Sequence, residues 1–236
     1  MKKIFTVKLR NINKKPITQK LCLLSGKTPT KDIIFELFTQ HSGTSSTLYL
    51  SNNKQYLLKA ELTKYNRKQE FYRWISRELL KKLLFINLDA RREYKGYKLV
   101  NKLGLKTPQL YGWGVPVSRR GSMLSFILIG YELDSISGLG YFNMLNKNER
   151  FYFIKELAKQ VAVLIKGGYF HRDLHLDNFL ITSRHDILWI DIHLQRKSIF
   201  KSYHERQLMK SMQGSNLGGY IYKEAFIDHL KYYIYN

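Results

Sequence analysis

Two short segments of the chain, near residues 170 and 190, carry side chains that could do chemistry. His171, Asp173 and Asn178 belong to the run His-Arg-Asp-Leu-His-Leu-Asp-Asn, and Asp191 follows the apolar run Ile-Leu-Trp-Ile. A loop aspartate can orient a hydroxyl group and accept its proton. Amide and carboxylate oxygens are hard ligands that suit Mg²⁺, which in turn neutralises phosphate groups. We therefore expect Asp173 to act as a base, and Asn178 and Asp191 to bind Mg²⁺, in phosphoryl transfer to a hydroxyl.

The same segments resemble the catalytic loop H-R-D-x-x-x-x-N of protein kinases and the metal-binding aspartate that follows it. Asn178 stands five residues after Asp173, and Asp191 stands thirteen residues after Asn178. The apolar residues between them predict two paired strands that hold the ligands rigid. His171 is interpreted as a packing and hydrogen-bonding residue of the loop and not as a catalyst.

Other interpretations of these residues remain open. Any single aspartate among them could be an ordinary loop carboxylate. Alternatively, four side chains could form a metal-hydrolase cluster, namely His171, Asp173, His175 and His193. The kinase interpretation explains more, because it also accounts for Asn178 and for the distance along the chain to Asp191.

The kinase resemblance indicates where the charged residues of a nucleotide site would lie. Lys59 ends the second strand of a predicted hairpin, which is the position of an ATP-binding lysine. Its carboxylate partner must sit on a following helix, and we expect it to be Glu93. Glu70 and Glu78 are less suitable, because more basic and aromatic residues surround them.

Two further segments are expected to contact the nucleotide. Gly43 lies in the loop 41–47, where backbone N–H groups and Ser/Thr hydroxyls would cradle the phosphates. This loop has one glycine where protein kinases have three. The strand and hinge at residues 128–134, which include Glu132 and Asp134, are expected to meet adenine through their main chain.

The chain also resembles the lipopolysaccharide kinase family, whose protein-kinase-like members phosphorylate heptose or 3-deoxy-octulosonate (Kdo) sugars of the lipopolysaccharide inner core. The resemblance covers about residues 43–236. The stretches that carry it are 90–94, 104–108, 125–128, 132–133, 171–178 and 190–193. It implies an ATP- and Mg²⁺-dependent kinase whose acceptor is a sugar of lipopolysaccharide core or lipid A-core.

The family resemblance also implies a role for each site residue. Lys59 and Glu93 would form the ATP-positioning pair, and Asp173 would be the base. Asn178 and Asp191 would be the Mg²⁺ ligands.

Departures from the protein-kinase pattern keep other functions open. Asp191-Ile192-His193 replaces D-F-G, and no A-P-E triplet follows, which argues against a kinase with a peptide-binding activation segment. Phosphotransferases for aminoglycosides or choline share the loop, usually with glycine where Arg172 stands, and are the nearest alternative. Intact Asp173, Asn178 and Asp191 argue against an inactive scaffold.

The elements that must position these residues predict an α+β protein with a protein-kinase-like two-lobed fold. Residues 1–40 read as an N-terminal extension, with a strand at 4–9 and a short helix around 32–38. A β-rich N-lobe is expected at 41–133 and a mainly helical C-lobe at 134–236. A flexible connector at 134–139, rich in serine and glycine, would mark the boundary.

Composition limits the partners and the compartment. The 236 residues contain 40 Lys+Arg and 18 Asp+Glu, a net charge of +22, with twelve basic and four acidic residues between positions 62 and 102. We expect this basic region, which also contains Tyr65, Phe71, Tyr72 and Trp74, to contact acidic core sugars or anionic headgroups. A solvated surface is the simpler explanation. No RNA-binding or helix-turn-helix signature is present, so no specific nucleic acid is expected.

The N-terminus and the apolar runs predict a location. Lys8 and Arg10 interrupt the first apolar run, so we expect no signal peptide. The longest apolar run, residues 123–131, is about half the length needed to span a bilayer. A single cysteine, Cys22, excludes an internal disulfide. We expect a cytoplasmic protein that lies peripherally on the cytoplasmic face of the inner membrane.

Overall fold

Strands dominate the first half of the chain and helices the second. The computed structural model describes residues 3–10, 16–27, 33–39, 46–62, 70–73, 75, 88–117, 123–196, 209 and 212–236. The strands are β1 Lys3–Arg10, β2 Ile17–Gly26, β3 Ile33–Thr39, β4 Ser46–Ser51, β5 Tyr56–Leu62, β6 Leu110–Pro116, β7 Met123–Gly130, β8 Ser135–Ser137, β9 Tyr169–His171, β10 Phe179–Thr182, β11 Ile187–Trp189 and β12 Leu194–Arg196. The helices are α1 Phe71–Arg73, α2 Asp89–Lys102, α3 Gly138–Met144, α4 Lys147–Lys166 and α5 Tyr220–Tyr235. The predicted α+β class is confirmed.

Two compact units make up the chain. The first comprises Met1–Lys95 and Pro108–Leu133, and the second comprises Gly96–Thr107 and Asp134–Asn236. The division of residues 1–40, 41–133 and 134–236 into an extension and two kinase lobes stays a prediction.

A closed barrel forms the core of the first unit. Its strands follow the order β1-β2-β6-β7-β5-β4-β3. A parallel pairing of β1 with β3, in which Val7 lies opposite Ile33, closes the ring. Alternate side chains point inward, as expected for strands, so that Phe5, Val7 and Leu9 are buried. The interior consists of Phe5, Val7, Leu9, Leu21, Leu23, Ile33, Phe35, Tyr49, Tyr56, Leu58, Ala60, Met123, Phe126 and Leu128.

The helix predicted around residues 32–38 is wrong, because Ile33–Thr39 is strand β3. Ile33 and Phe35 are buried while Glu36 is exposed, which is the period of two that suits a strand. Asp32, whose favourable place in a first helical turn supported the prediction, lies outside the described residues. Pairing with β1 on one side and β4 on the other decides the conformation here.

The second unit packs helices beside small sheets. Helix α4 begins with a capping box, in which Asn146 accepts from the backbone N–H of Glu149 and Glu149 accepts from that of Asn146. The apolar spacing of residues 148–166 predicts a helix there, and α4 ends at Lys166 with Gly167 as its C-cap. Its buried face is apolar and lies against α5. Strands β8, β10 and β11 form one sheet, and β9 and β12 form another.

The predicted flexible connector at 134–139 is wrong, since it contains a strand and a helix. Strand β8 pairs with β10, and the Ser137 hydroxyl caps α3 by accepting from the backbone N–H of Gly140 at 3.0 Å. A Cβ atom at Gly138 would overlap the carbonyl oxygen of Leu176. Glycine therefore lets α3 start directly against the loop that contains Asp173 and Asn178.

Candidate active site

Lys59 and Glu93 form an ion pair within the first unit. Lys59 lies in the middle of β5, where Leu48 of β4 and Ile127 of β7 flank it in register. Glu93 is the buried charged residue of α2, and it shares a stripe with the buried Ala90. The Nζ atom of Lys59 lies 2.9 Å from Oε2 of Glu93, and the side chains are only 19% and 4% exposed. The strand and the helix thus hold opposite charges together with little water.

Of the two competing glutamates, Glu70 is described and has a different partner. Glu70 pairs with Arg73 at 3.0 Å, and Glu78 lies outside the described residues. The structure therefore brings Lys59 together with Glu93, as expected from the sequence. Its role toward a nucleotide stays a prediction.

In the second unit, His171 joins two backbone segments. The residue is 2% exposed. Its Nδ1 accepts from the backbone N–H of Asp173 at 3.3 Å, and its Nε2 lies 3.1 Å from the carbonyl oxygen of Asp191. Because a carbonyl can only accept, a neutral ring protonated at Nε2 makes both hydrogen bonds. The backbone N–H of His193 also lies 3.1 Å from Nε2, but a tautomer that accepted from it would lose the other two bonds.

Electrostatics keep this ring neutral. The pKa of His171 is lowered to about 4, mainly by burial and to a smaller extent by the nearby imidazole of His193. Its hydrogen bonds to the backbone of Asp191 and Asp173 and the charge of Asp191 oppose this shift. The ring is therefore neutral at pH 7 and serves to hold the loop, which confirms its interpretation as a hydrogen-bonding residue.

Asn178 holds the same loop from the other side. Its side-chain N–H group donates to the carbonyl oxygen of Asp173 at 2.5 Å, and the residue is 2% exposed. Since Nδ2 is engaged, Oδ1 is the side-chain atom left to act as a ligand. The carboxylate of Asp173, in contrast, is 69% exposed and lies 3.8 Å from Nε2 of His175. The backbone is fixed while the charged end stays accessible.

Asp191 follows strand β11 in an unusual conformation. The backbone N–H of Ile190, the residue before Asp191, donates to the carbonyl of Asn178 at 2.9 Å. This hydrogen bond links the backbones of the two predicted ligands. Asp191 has a φ of 50°, in the left-handed region that is costly for a residue with a side chain. The His171 contact at its carbonyl helps to hold it there. Its carboxylate is 42% exposed and lies 3.2 Å from Nε2 of His193.

These contacts argue against a metal-hydrolase cluster. Both ring nitrogens of His171 face backbone groups and so point at no common centre with the other side chains. Within the described part of the chain, no group of three or more His, Cys, Asp or Glu side chains could hold a metal ion. From the sequence, His193 is a candidate for such a cluster and part of the Asp191-Ile192-His193 stretch that replaces D-F-G, and the structure pairs it with Asp191. Its place two residues after Asp191 is the only sequence signal for that pair.

Gly43, Glu132 and Asp134 are the other residues predicted to contact the nucleotide. Gly43 lies outside the described residues. Strand β7 ends at Gly130, before the predicted hinge is complete, and Glu132 and Asp134 lie between β7 and β8. Glu132 is half-buried and Asp134 is exposed. Their contact with adenine stays a prediction.

Among the described residues, no helix is long and apolar enough to cross a bilayer.

Comparisons with known proteins identify a shared fold. No protein-family model and no curated protein matches the chain. Among solved structures, the chain is similar to WaaP in complex with acyl carrier protein, with a TM-score of 0.53 and 14% identity over 89% of this chain and 79% of that one. A structure of WbdD has a TM-score of 0.48 and 13% identity, over 74% of this chain and 36% of that one. At 14% identity, the likeness to WaaP shows that the chain shares its fold.

Proposed function

We propose that this chain is an ATP-dependent kinase that phosphorylates a hydroxyl of a heptose or Kdo sugar in the lipopolysaccharide inner core. The observation that carries the proposal is the loop in which His171 and Asn178 hold the backbone of Asp173 and Asp191. Both carboxylates of that loop stay accessible to a ligand. Because the backbone is held on both sides, the two carboxylates are kept at loop positions where a ligand can reach them.

The loop residues fit the chemistry of phosphoryl transfer. When bound, ATP would supply the phosphoryl group and Mg²⁺ would neutralise the phosphate oxygens. Asp173 orients the acceptor hydroxyl and takes its proton as that oxygen bonds to the γ-phosphorus and the bond to ADP breaks. Oδ1 of Asn178 and the carboxylate of Asp191 are oxygen ligands of the kind that Mg²⁺ prefers, and phosphates and water would complete its shell.

The nucleotide would be positioned by the barrel. Lys59 donates to phosphate oxygens, and Glu93 restricts the lysine to one direction through the 2.9 Å ion pair. We further propose that the backbone at Gly43 cradles the phosphates and that the main chain near Glu132 and Asp134 meets adenine. The two units would then be the lobes of a kinase fold, with residues 41–133 and 134–236 as their cores.

The net charge supports the proposed acceptor and location. With a net charge of +22, the chain attracts the acidic sugars of lipopolysaccharide core and the anionic face of a membrane. We propose that it lies peripherally on the cytoplasmic face of the inner membrane. The basic region at 62–102 is the proposed contact, and about half of it, residues 63–69, 74 and 76–87, lies outside the described residues.

Transfer of labelled phosphate from ATP tests this function. The acceptors are purified core lipopolysaccharide, free heptose, an aminoglycoside and a generic protein, each at low and high salt, with and without Mg²⁺. We expect labelling of the lipopolysaccharide that requires Mg²⁺, weakens at high salt and falls by at least about 10²-fold with Asp173→Ala. An added acyl carrier protein forms a separate arm, since WaaP was crystallised with one.

A small-molecule phosphotransferase on the same fold is the second candidate. The accessible Asp173 suits any hydroxyl acceptor, so the loop alone does not choose between them. Preferred labelling of the aminoglycoside or of the protein, with lipopolysaccharide untouched, would overturn the proposed acceptor and leave the kinase chemistry standing.

A further inference from the structure

Glu61 is a buried carboxylate on the same strand as Lys59. It lies two residues further along β5, so both side chains point to the same face of the strand. The residue is only 5% exposed. Its Oε2 accepts a hydrogen bond from the hydroxyl of Ser125, which lies opposite it on β7 and is fully buried. The same oxygen accepts from the backbone N–H of Asp89 at 3.1 Å.

The contact with Asp89 is a contact with the start of helix α2. Asp89 is the first residue of that helix, and N–H groups of a first helical turn have no partner within the helix. A carboxylate there satisfies one of these groups and also faces the positive end of the helix dipole. Glu61 therefore caps α2 from a strand of the barrel, and Ser125 holds the carboxylate in place.

The two glutamate contacts lie about one helical turn apart. Asp89 precedes Glu93 by four residues, a rise of about 6 Å along a helix. Lys59 and Glu61 are two residues apart on β5, about 7 Å along a strand. The two spacings match. The strand and the helix run in opposite directions, so that Glu61 meets Asp89 and Lys59 meets Glu93. Two attachments one turn apart restrict both the rotation and the tilt of the helix, which a single ion pair cannot do.

We propose that Glu61, held by Ser125, is a positioning residue that fixes helix α2 on strand β5 so that Glu93 meets Lys59. The effect of Glu61 on the helix is inferred from its hydrogen bonds with Asp89 and Ser125. Its effect on nucleotide binding rests on the proposed function, because it acts through the Lys59–Glu93 pair.

Replacing the polar pair by apolar residues of similar volume tests the proposal without leaving a buried group unpaired. The double variant Glu61→Met/Ser125→Ala is compared with the conservative Glu61→Gln, which keeps an acceptor oxygen. Glu36→Gln is the matched control, because Glu36 is an exposed glutamate on barrel strand β3. Hydrogen exchange of residues 89–95 reports the helix, and the Kd of a fluorescent ATP analogue reports the nucleotide site.

We expect amide exchange at 89–95 to rise about tenfold in the apolar double variant and the Kd to rise about tenfold with it. Glu61→Gln should recover most of both changes, and Glu36→Gln should change neither. In a Glu93→Gln background, the apolar pair should cost no further nucleotide affinity, because the contact through which it acts is already lost.

Unchanged exchange at 89–95 in the folded double variant would overturn the proposal. An equal loss of affinity in both Glu93 backgrounds would also overturn it, since Glu61 would then act on general stability. If exchange rises as expected but the unmodified chain binds no nucleotide, the positioning of α2 stands and the proposed kinase function fails.

Discussion

The Lys59–Glu93 pair and the loop from His171 to Asp191 are held in opposite ways. In the pair, the charged side chains are each other's partners, and they are only 19% and 4% exposed. In the loop, a neutral imidazole and a neutral amide hold the backbone, while the carboxylates of Asp173 and Asp191 are 69% and 42% exposed. One region uses its charges to position protein, and the other leaves them accessible to a ligand.

This difference separates chemistry from stability. An exposed carboxylate contributes little to folding, so its removal from the loop should cost activity alone. A charge in the buried pair has a partner that is left behind when it is removed, so both activity and stability should fall. Four experiments, from the largest expected effect to the smallest, test this distinction.

Asp191→Asn should give the largest effect, a loss of Mg²⁺-dependent transfer of more than about 10³-fold, because a ligand charge is removed from the cation. Asparagine tolerates the left-handed backbone at this position, so the free energy of unfolding should change by less than about 1 kcal/mol. Steady-state turnover and urea unfolding measure the two quantities. Asp186→Asn, which breaks the exposed pair with Lys106, is the control and should keep near-normal turnover. Turnover that survives in Asp191→Asn would point to a different site.

Asp173→Ala should lower turnover by about 10²- to 10⁴-fold, the usual contribution of a positioned base, while nucleotide affinity stays nearly intact. Asp177→Ala, at an exposed aspartate of the same loop, should leave turnover within about twofold. Single-turnover kinetics and nucleotide titration separate the two parameters. A collapse of nucleotide affinity with unchanged turnover of the bound nucleotide would show that the role assigned to Asp173 is wrong.

Lys59→Met and Glu93→Gln should each lower kcat/KM by about 10²-fold, because the phosphates are misplaced. The double variant should lose little more than either single variant, since both changes break one contact. Lys59→Met and Glu93→Gln should each also lower the urea concentration at the midpoint of unfolding, whereas Asp173→Ala and Asp191→Asn should not. Lys20→Met, at an exposed lysine of β2, controls for loss of charge on the barrel. Additive losses in the double variant would mean that the two residues act separately.

The smallest effect concerns pH. The pKa of His171 is about 4 in the folded protein and near its ordinary value of 6.5 when unfolded. Between these values the unfolded state binds one more proton, so stability decreases as pH falls from about 6.5 toward 4. The loss by pH 5 should be on the order of 2 kcal/mol. Urea unfolding in EDTA, compared between the unmodified chain and His171→Gln, isolates this ring.

In that experiment, the variant should have a flatter pH profile over the same range. His185→Gln, at an exposed histidine, should keep the original profile. An identical slope in His171→Gln would mean that the buried ring is not the group that titrates.

Local patterns predicted the elements that depend on neighbours in the chain. The predicted hairpin whose second strand carries Lys59 is β4 and β5, and the helix predicted at 148–166 is α4. Strands β2 and β3 were missed, because what makes them strands is pairing within the barrel. The parallel contact of β1 with β3 joins residues more than twenty positions apart, and no local pattern encodes it.

The same distinction applies to the candidate site. Asp173, Asn178 and Asp191 could be predicted because they lie within twenty residues of one another in the sequence. Their residue types also show directly which of them can act as a base and which can supply oxygen ligands. Lys59 and Glu93 required the kinase resemblance, since 34 positions separate them. Glu61 carries no signal of its own, because only its burial and its contact with Asp89 distinguish it from a surface glutamate.

The amino-acid sequence by itself determined which chemistry the chain can offer: a base, two oxygen ligands and a lysine with a carboxylate to match. The tertiary structure alone decided how these groups are held. Burial makes His171 neutral and turns it into a link between two backbones, and barrel pairing places Lys59 and Glu61 beside one helix. Residue type and spacing are properties of the chain, whereas burial, protonation and partner choice arise only when distant segments exclude water from between them.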